Sequence, residues 1–180
     1  MKTIYPLSST ATLEIASGTI SNQIDLEAVV IFLSSRLDFI VETASGDPCR
    51  SGKAAPDGIP AIFPGQAIVS THLVAKSPLV IACLPPVFGI DLPSDTLLEN
   101  CYRNAIALAE SHHATSIGFS GLAGTGFYYP TENAAETALR TVIELAPTLK
   151  SLRTVRFLLS DSFSLRIYRE ACNHMLGLIT

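Results

Sequence analysis

A chain of 180 residues can bury one substantial hydrophobic core, so we expect a single domain over residues 1–180. The net charge of −4 excludes a typical binder of duplex nucleic acid, because such binding depends on Lys and Arg side chains that neutralise phosphates. No apolar run approaches the about 20 residues of a membrane-spanning helix, and the N-terminal residues lack the hydrophobic core of a secretory signal. These features predict a cytoplasmic protein that does not bind membranes.

Strand-like and helix-like segments alternate along the chain. Alternating apolar and polar residues at 12–18 predict a half-buried strand, and short β-branched segments predict strands at 27–35, 67–75, 78–84, 115–121 and 154–161. Helical spacing of apolar residues predicts helices over 94–111, 131–147 and 162–177. The N-caps expected for the first two are Ser94 and Thr131, while Pro147 and Gly177 are expected to end the second and third.

This alternation is typical of βαβ units. It predicts a three-layer α/β/α sandwich around a mixed, mostly parallel central sheet. Residues 44–66 break the pattern, because they hold four Gly and four Pro in 23 positions. A connection of this length is unusual inside a compact domain, and it is either a functional flap or a mobile loop.

The four cysteines are far apart in the sequence and include no C-x-x-C pair. This spacing fits neither a zinc site nor a dense disulfide framework. We therefore expect reduced thiols, no metal ion and no cofactor.

The stretch FSGLAGTGFYYP, residues 119–130, follows a predicted strand and precedes a predicted helix. Ligands of open α/β sheets bind beyond the carboxyl ends of strands, and glycines allow backbone N–H groups to approach an anion. The stretch lacks the lysine of a P-loop, its glycines stand in the wrong order for a dinucleotide fingerprint, and Leu122 replaces the last glycine of a nucleophile elbow. A phosphate-binding loop and a glycine-rich turn without a ligand both remain open on this stretch alone.

The surroundings of this stretch resemble the macrodomain family. The resemblance is carried by Cys101-Tyr102-Arg103-Asn104 in a helix, by S-I-G-F at 116–119, by T-G-F-Y-Y-P at 125–130 and by A-A-x-x-A-L at 134–139. It extends over residues 78–172 and is weaker before them. It implies the macrodomain fold and the binding of ADP-ribose or of an ADP-ribosylated protein, and several family members hydrolyse ADP-ribosyl groups or deacetylate O-acetyl-ADP-ribose.

The resemblance also implies a set of ligand-binding residues. The family's diphosphate loop corresponds to residues 123–128, which gives this role to the backbone amides of Gly124, Thr125 and Gly126. An aromatic residue that packs on the distal ribose corresponds to Phe127 or Tyr128.

The N-terminal half departs from the family pattern. The G-D-I-T motif falls on residues 18–21, so Thr19 replaces the aspartate that accepts a hydrogen bond from adenine, and Thr19 and Ile20 would meet the base. The N-A-A-N motif falls on residues 31–34, so both asparagines and the following glycine run are missing. We expect Ser34 and Ser35 to offer hydroxyl groups in their place, and the catalytic residues stay unknown.

Several other residues are candidates for a role in catalysis or have a commoner structural explanation. Asp38 and Glu42 would share a face of a helix and could do acid–base chemistry, although a solvated face is the commoner reason for such a pair. His72 falls in a predicted strand, where a packed histidine is the commoner case, and Asp161 could cap the last helix. His112 and His113 close a helix, where cationic character suits the helix dipole.

Three interpretations follow. The leading one is a divergent macrodomain that binds ADP-ribose or a related nucleotide diphosphate without efficient catalysis. The second is an active ADP-ribosyl hydrolase or deacetylase that uses residues of the 36–66 region. The third is an interaction module that has lost nucleotide binding and exposes Ile31, Phe32 and Leu33, which fit an ordinary strand core equally well.

Overall fold

The computed structural model describes residues 2–33, 39–42, 48–51, 63–70, 77–122 and 127–178, and of 39–42 and 48–51 it describes the backbone. The strands are β1 Lys2–Pro6, β2 Thr12–Ser17, β3 Ala28–Phe32, β4 Phe39–Glu42, β5 Pro48–Ser51, β6 Ala67–Val69, β7 Leu79–Cys83, β8 Ser116–Ser120 and β9 Thr154–Leu159. The helices are α1 Ser94–Ser111, α2 Thr131–Leu145 and α3 Ser162–Met175. Two short 3-10 turns cover Ile20–Asn22 and Ala146–Thr148.

Seven strands form the central sheet, in the order β1-β2-β9-β8-β3-β7-β6. The five inner strands run parallel to one another, and β1 and β6 pair antiparallel at the two edges. The remaining described strands, β4 and β5, pair with each other in a separate antiparallel ribbon. The expected mixed, mostly parallel sheet is therefore confirmed.

The two faces of the sheet carry separate hydrophobic clusters, because side chains alternate along each strand. In β3, Val30 belongs to the cluster beneath the helices, and Val29 belongs to the cluster on the opposite face. The larger cluster includes a chain of aromatic rings that connects the sheet to α1 and α3. Its members, with neighbouring centroids 5.2–6.1 Å apart, are Phe32, Tyr102, Phe119, Phe157 and Tyr168.

The three predicted helices all form, although the first two have other N-cap residues than expected. Both expected N-caps are wrong by one residue, because α1 and α2 are capped by Pro93 and Pro130. The Ser94 hydroxyl donates to the carbonyl of Asp91 at 2.6 Å instead of capping the helix. Gly177 follows the end of α3 with a φ of +65°, as expected for the residue after a helix.

Two expectations for the middle of the chain are wrong. Residues 39–42 form the extended strand β4, so Glu42 does not share a helix face with Asp38. The glycine- and proline-rich segment is not a loop throughout, because β5 lies inside it and starts at Pro48. Proline is tolerated at the first residue of a strand, where its missing N–H breaks no essential hydrogen bond.

Candidate ligand-binding site

The carboxyl ends of the five parallel strands lie at one edge of the sheet. The segments that leave this edge include residues 18–26 after β2, 84–93 after β7 and 121–130 after β8. A parallel sheet binds ligands in the crevice that such segments form. The glycine-rich segment leaves β8, which pairs on both sides within the parallel part of the sheet.

The segment between β8 and α2 is held at both ends. At its start, the N–H of Gly121 donates to the carbonyl of Leu158 at 3.1 Å. At its end, Phe127 is 3% exposed and packs in the main core, whereas the side chain of Tyr128 is 75% exposed. Tyr128 has a φ of +54°, a left-handed conformation that is uncommon for an aromatic residue and often marks a functional constraint.

The segment after β7 contacts and supports the end of the β8–α2 segment. The N–H of Phe88 donates to the carbonyl of Phe127 at 3.0 Å, and the Phe88 ring contacts the Tyr129 ring with centroids 4.8 Å apart. The Tyr129 hydroxyl donates to Oδ1 of Asp95 on α1 at 2.7 Å. Burial, and then this hydrogen bond to a carboxylate, raise the pKa of Tyr129 above its usual value. Tyr129 thus stays a neutral hydrogen-bond donor at physiological pH.

Residues 18–26, which we call the β2 strap, lie across the face of the sheet that the described helices leave open. The N–H of Gly18 donates to the carbonyl of Leu159 at 3.1 Å and starts the strap at the end of β9. Ile20 and Leu26 pack in the cluster on this face, beside Leu158. The strap therefore crosses from β2 over the neighbouring strands.

The hydroxyl of Thr19 takes part in a small polar group on the strap. Its Oγ1 lies 3.1 Å from Oγ of Ser21, and it accepts a hydrogen bond from Nδ2 of Asn22 at 3.3 Å. Ser21 can supply either a donor or an acceptor, since a hydroxyl does both. This group is neutral, so the strap presents no charged acceptor at residue 19.

A cluster of charged side chains, Glu14, Asp25 and Arg156, connects the strap to the sheet. Arg156 on β9 is paired across the strands with Glu14 on β2, through Nε and Oε2 at 2.5 Å. Both side chains are less than 10% exposed, at 8% and 9%. Nη1 and Nη2 of Arg156 donate to the two carboxylate oxygens of Asp25 at 2.9 and 2.8 Å. The hydrogen bond from Arg156 lowers the pKa of Asp25, so this carboxylate remains charged into acid.

The structure brings some of the predicted site residues to this edge and leaves others undescribed. Thr19 and Ile20 lie on the strap, while Phe127 and Tyr128 lie at the end of the glycine-rich segment. Further predicted residues lie outside the described part of the chain: Ser34, Ser35, Asp38, His72, Gly124, Thr125 and Gly126.

Several candidates are placed away from the site or in structural roles. His112 and His113 follow α1 and precede β8, so they lie at the opposite edge of the sheet. Asp161 caps α3 by accepting the N–H of Ser164 at 2.7 Å. Within the described residues, no three His, Cys, Asp or Glu side chains are grouped to hold a metal ion.

The apolar patch of the third interpretation does not form. Ile31 and Phe32 are half-buried, Leu33 is buried, and all three pack within the two hydrophobic clusters of the sheet. In the described part of the chain, no helix is long and apolar enough to cross a membrane.

The sequence patterns did not single out the residues that support the site. Phe88 contacts the end of the β8–α2 segment from the segment after β7, and Gln23 and Asp25 on the strap contact Arg156, which is more than 130 residues away in sequence. One signal was present: Glu14 and Arg156 are each the single charged residue of their strand, β2 and β9, and buried charges of this kind are paired.

Comparisons with known proteins agree with this architecture. The family model for the macro domain matches residues 48–138. The chain is 32% identical over 170 residues to a macro domain-containing protein in the gbd 3' region of Cupriavidus necator, which covers 88% of this chain and 95% of that protein. It is 35% identical over 106 residues to the O-acetyl-ADP-ribose deacetylase of Salmonella typhimurium, which covers 58% of this chain and 59% of that enzyme.

Similarity to a solved structure extends over nearly the whole chain. A variant of the Oceanobacillus iheyensis macrodomain, solved with ADPR, superposes with a TM-score of 0.76 at 21% identity. The superposition covers 98% of this chain and 100% of that one. Together with the family model and the Cupriavidus relative, it shows that this chain has the three-layer α/β/α macrodomain fold and belongs to the macrodomain family.

Proposed function

We propose that this protein binds ADP-ribose, or a related nucleotide diphosphate, at the carboxyl edge of its central sheet. The observation that carries the proposal is the position of the glycine-rich segment in a member of this family. The segment leaves β8 within the parallel part of the sheet and leads directly into the N-terminus of α2. Backbone N–H groups before a helix N-terminus favour phosphate groups, because they are unpaired donors at the positive end of the helix dipole.

Each part of the ligand has a proposed partner. The backbone amides of Gly124, Thr125 and Gly126 would hold the diphosphate. Of Phe127 and Tyr128, only Tyr128 is exposed, so we assign Tyr128 to the distal ribose. Phe127 is buried and supports the segment from the core.

The other ligand contacts would come from the strap and from the chain after β3. Thr19 and Ile20 would meet the base. Ser34 and Ser35 would offer hydroxyl groups to the ribose, because they follow directly after β3 and Leu33.

Efficient hydrolysis is not expected by the family's usual route. The position that carries the first asparagine of the N-A-A-N motif is Ile31, which packs against the hydrophobic cluster of the sheet. An isoleucine can neither donate nor accept a hydrogen bond, so it cannot position a ribose or a water molecule. Binding of free ADP-ribose or of an ADP-ribosylated protein is therefore the leading function.

Isothermal titration calorimetry with ADP-ribose tests the proposal. We expect saturable heat from the wild-type protein and at least about tenfold weaker binding by Gly126→Val, because a branched side chain would keep the ligand from the backbone amides. Gly177→Val is the matched control. Gly177 has a φ of +65°, so a valine there tests the general effect of a strained glycine substitution, while an added Cβ meets nothing within 4 Å and the residue lies beyond the far end of α3. Equal affinity of wild type and Gly126→Val, or no heat from folded wild type, would contradict the proposal.

A deacetylase or hydrolase is the second candidate, favoured by the 35% identity to the Salmonella typhimurium enzyme named O-acetyl-ADP-ribose deacetylase. Incubation with O-acetyl-ADP-ribose, followed by chromatography of the products, distinguishes the two. Release of ADP-ribose that stops in Gly126→Val and persists in Gly177→Val would establish the enzyme. Unchanged substrate at a concentration that saturates binding would leave binding as the function.

A further inference from the structure

The guanidinium group of Arg156 lies in the centre of a row of three paired residues on the strap face of the sheet. In the strand register, Arg156 on β9 is opposite Glu14 on β2 and Gly118 on β8. The residue on one side is therefore an acid, and the residue on the other side has no side chain. This arrangement leaves room above β8 for the strap and directs the guanidinium group towards it.

Arg156 reaches two side chains of the strap at once. Nη1 and Nη2 donate to both oxygens of Asp25, and Nη1 also donates to Oε1 of Gln23 at 2.8 Å. With the bond to Glu14, four donor contacts hold one guanidinium group in place. Bidentate arginine pairs of this kind define geometry as well as binding energy, because both groups are planar.

Gln23 connects Arg156 to the part of the strap that is proposed to meet the base. Its Oε1 accepts from Arg156, which leaves Nε2 as the donor end of the amide. Nε2 donates to the carbonyl of Thr19 at 3.1 Å. If the amide were reversed, an N–H group would face the Arg156 donors and two acceptors would face each other at Thr19. Arg156 therefore determines which end of the Gln23 amide faces Thr19.

We propose that Arg156 is a positioning residue for ligand binding, which acts through Gln23 on the turn that contains Thr19 and Ile20. This inference rests on the proposed function, because it concerns the segment assigned to the base. Arg156 itself lies beneath the strap and does not contact the ligand. It orders the backbone of the strap before the ligand arrives, so that binding does not have to order it.

Two variants test the relay at its two ends. Gln23→Met keeps the length of the side chain but removes both the acceptor and the donor, and Gln23 is only half-buried, so folding should persist. Arg156→Lys keeps the positive charge near Glu14 but cannot contact Asp25 and Gln23 in the same fork. Arg140→Lys is the control, because Arg140 forms an ion pair with Glu136 at 3.7 Å on α2, outside the site.

The expected result is a loss of affinity for ADP-ribose of about tenfold in Gln23→Met and in Arg156→Lys, and no change in Arg140→Lys. The double variant should bind no more weakly than the weaker single variant, because both changes break one relay. Amide NMR signals of Thr19 and Ile20 in the ligand-free protein should shift or broaden in both variants. A merely structural role would instead lower the melting temperature and leave affinity and these signals unchanged.

The outcomes separate this inference from the proposed function. No heat from folded wild type would refute the proposed function and, with it, a role of Arg156 in ligand binding. Binding by wild type with equal affinity in Gln23→Met would refute the inference alone. If Arg156→Lys does not fold, Gln23→Met still decides the question.

Discussion

The β2 strap packs directly on the sheet at Gly118 of β8. A Cβ atom added there would overlap with Cδ1 of Leu26 and would touch Cδ1 of Ile20 and of Leu158 at 3.7 Å each. Leu26 is 2% exposed, so its side chain cannot turn into solvent to make room. Overpacking of this kind destabilises the folded state by about 1–3 kcal/mol. Alanine also reduces the conformational entropy of the unfolded chain, which stabilises the folded state by about 0.4–1 kcal/mol. We expect Gly118→Ala to lower the free energy of unfolding by up to roughly 2.6 kcal/mol.

A double-mutant cycle shows whether the overlap is the cause. Leu26→Ala alone should cost about 2–5 kcal/mol, because it removes a buried side chain and leaves a cavity. In that background the new methyl group at residue 118 enters the vacated space, so the second substitution should be neutral or stabilising. Urea denaturation followed by circular dichroism measures all four proteins. Additive losses, with no coupling above about 0.5 kcal/mol, would refute the close packing of strap and sheet.

Three further outcomes are expected. Asp161→Ala should destabilise the protein by about 1 kcal/mol in thermal denaturation, since the α3 cap is lost, and Asp161→Asn should restore most of that loss. Burial of Glu110 opposes its ionisation, but the N–H groups of residues 150–152 outweigh burial and lower its pKa. A lowered pKa stabilises the folded state above the unfolded value, so the stability advantage over Glu110→Gln should be full above about pH 5 and should shrink as the pH falls further. Burial raises the pKa of Cys83, and that of Cys101 to about 12, so both thiols should react with Ellman's reagent only as the protein unfolds; rapid labelling of the native protein, mapped by mass spectrometry, would contradict this.

The fold could be predicted well where the burial of an element is visible in its own sequence. The inner strands β3 and β7 are apolar throughout, β8 and β9 are mostly apolar, and all four were predicted from this composition. The edge strand β1, with the sequence KTIYP, was missed because one side of an edge strand faces solvent and its composition resembles a loop.

The helix ends were predicted less accurately than the helices. Ser94 and Thr131 have the side chains of good N-caps, but each follows a proline that already has the extended backbone of a cap residue. The extended ψ angles of Pro93 and Pro130, 120° and 132°, place them outside the helices, so both expectations missed by one position.

Only part of the candidate site could be predicted from the sequence, because the rest depends on contacts between distant residues. The β8–α2 segment is proposed to act through its backbone, so the glycines and the order of elements were enough to suggest it. The strap depends on the contacts of Gln23 and Asp25 with Arg156, which lies more than 130 residues further along the sequence. No local pattern records such a contact, because the pairing of β2 with β9 creates it.

The two halves of the site therefore carry different information about function. The backbone donors proposed for the β8–α2 segment would suit any diphosphate, since an amide N–H does not distinguish one nucleotide from another. The strap has neutral groups around Thr19 and an ordered carbonyl at the same residue, held by a charged cluster whose members are mostly buried. A charged cluster of this kind costs desolvation energy and is weak evidence for stability by itself. The position of this cluster beneath the strap is better explained by a role in ordering the turn that contains Thr19 and Ile20. Recognition of the base is then the property that we expect to weaken first when Gln23 or Arg156 is changed.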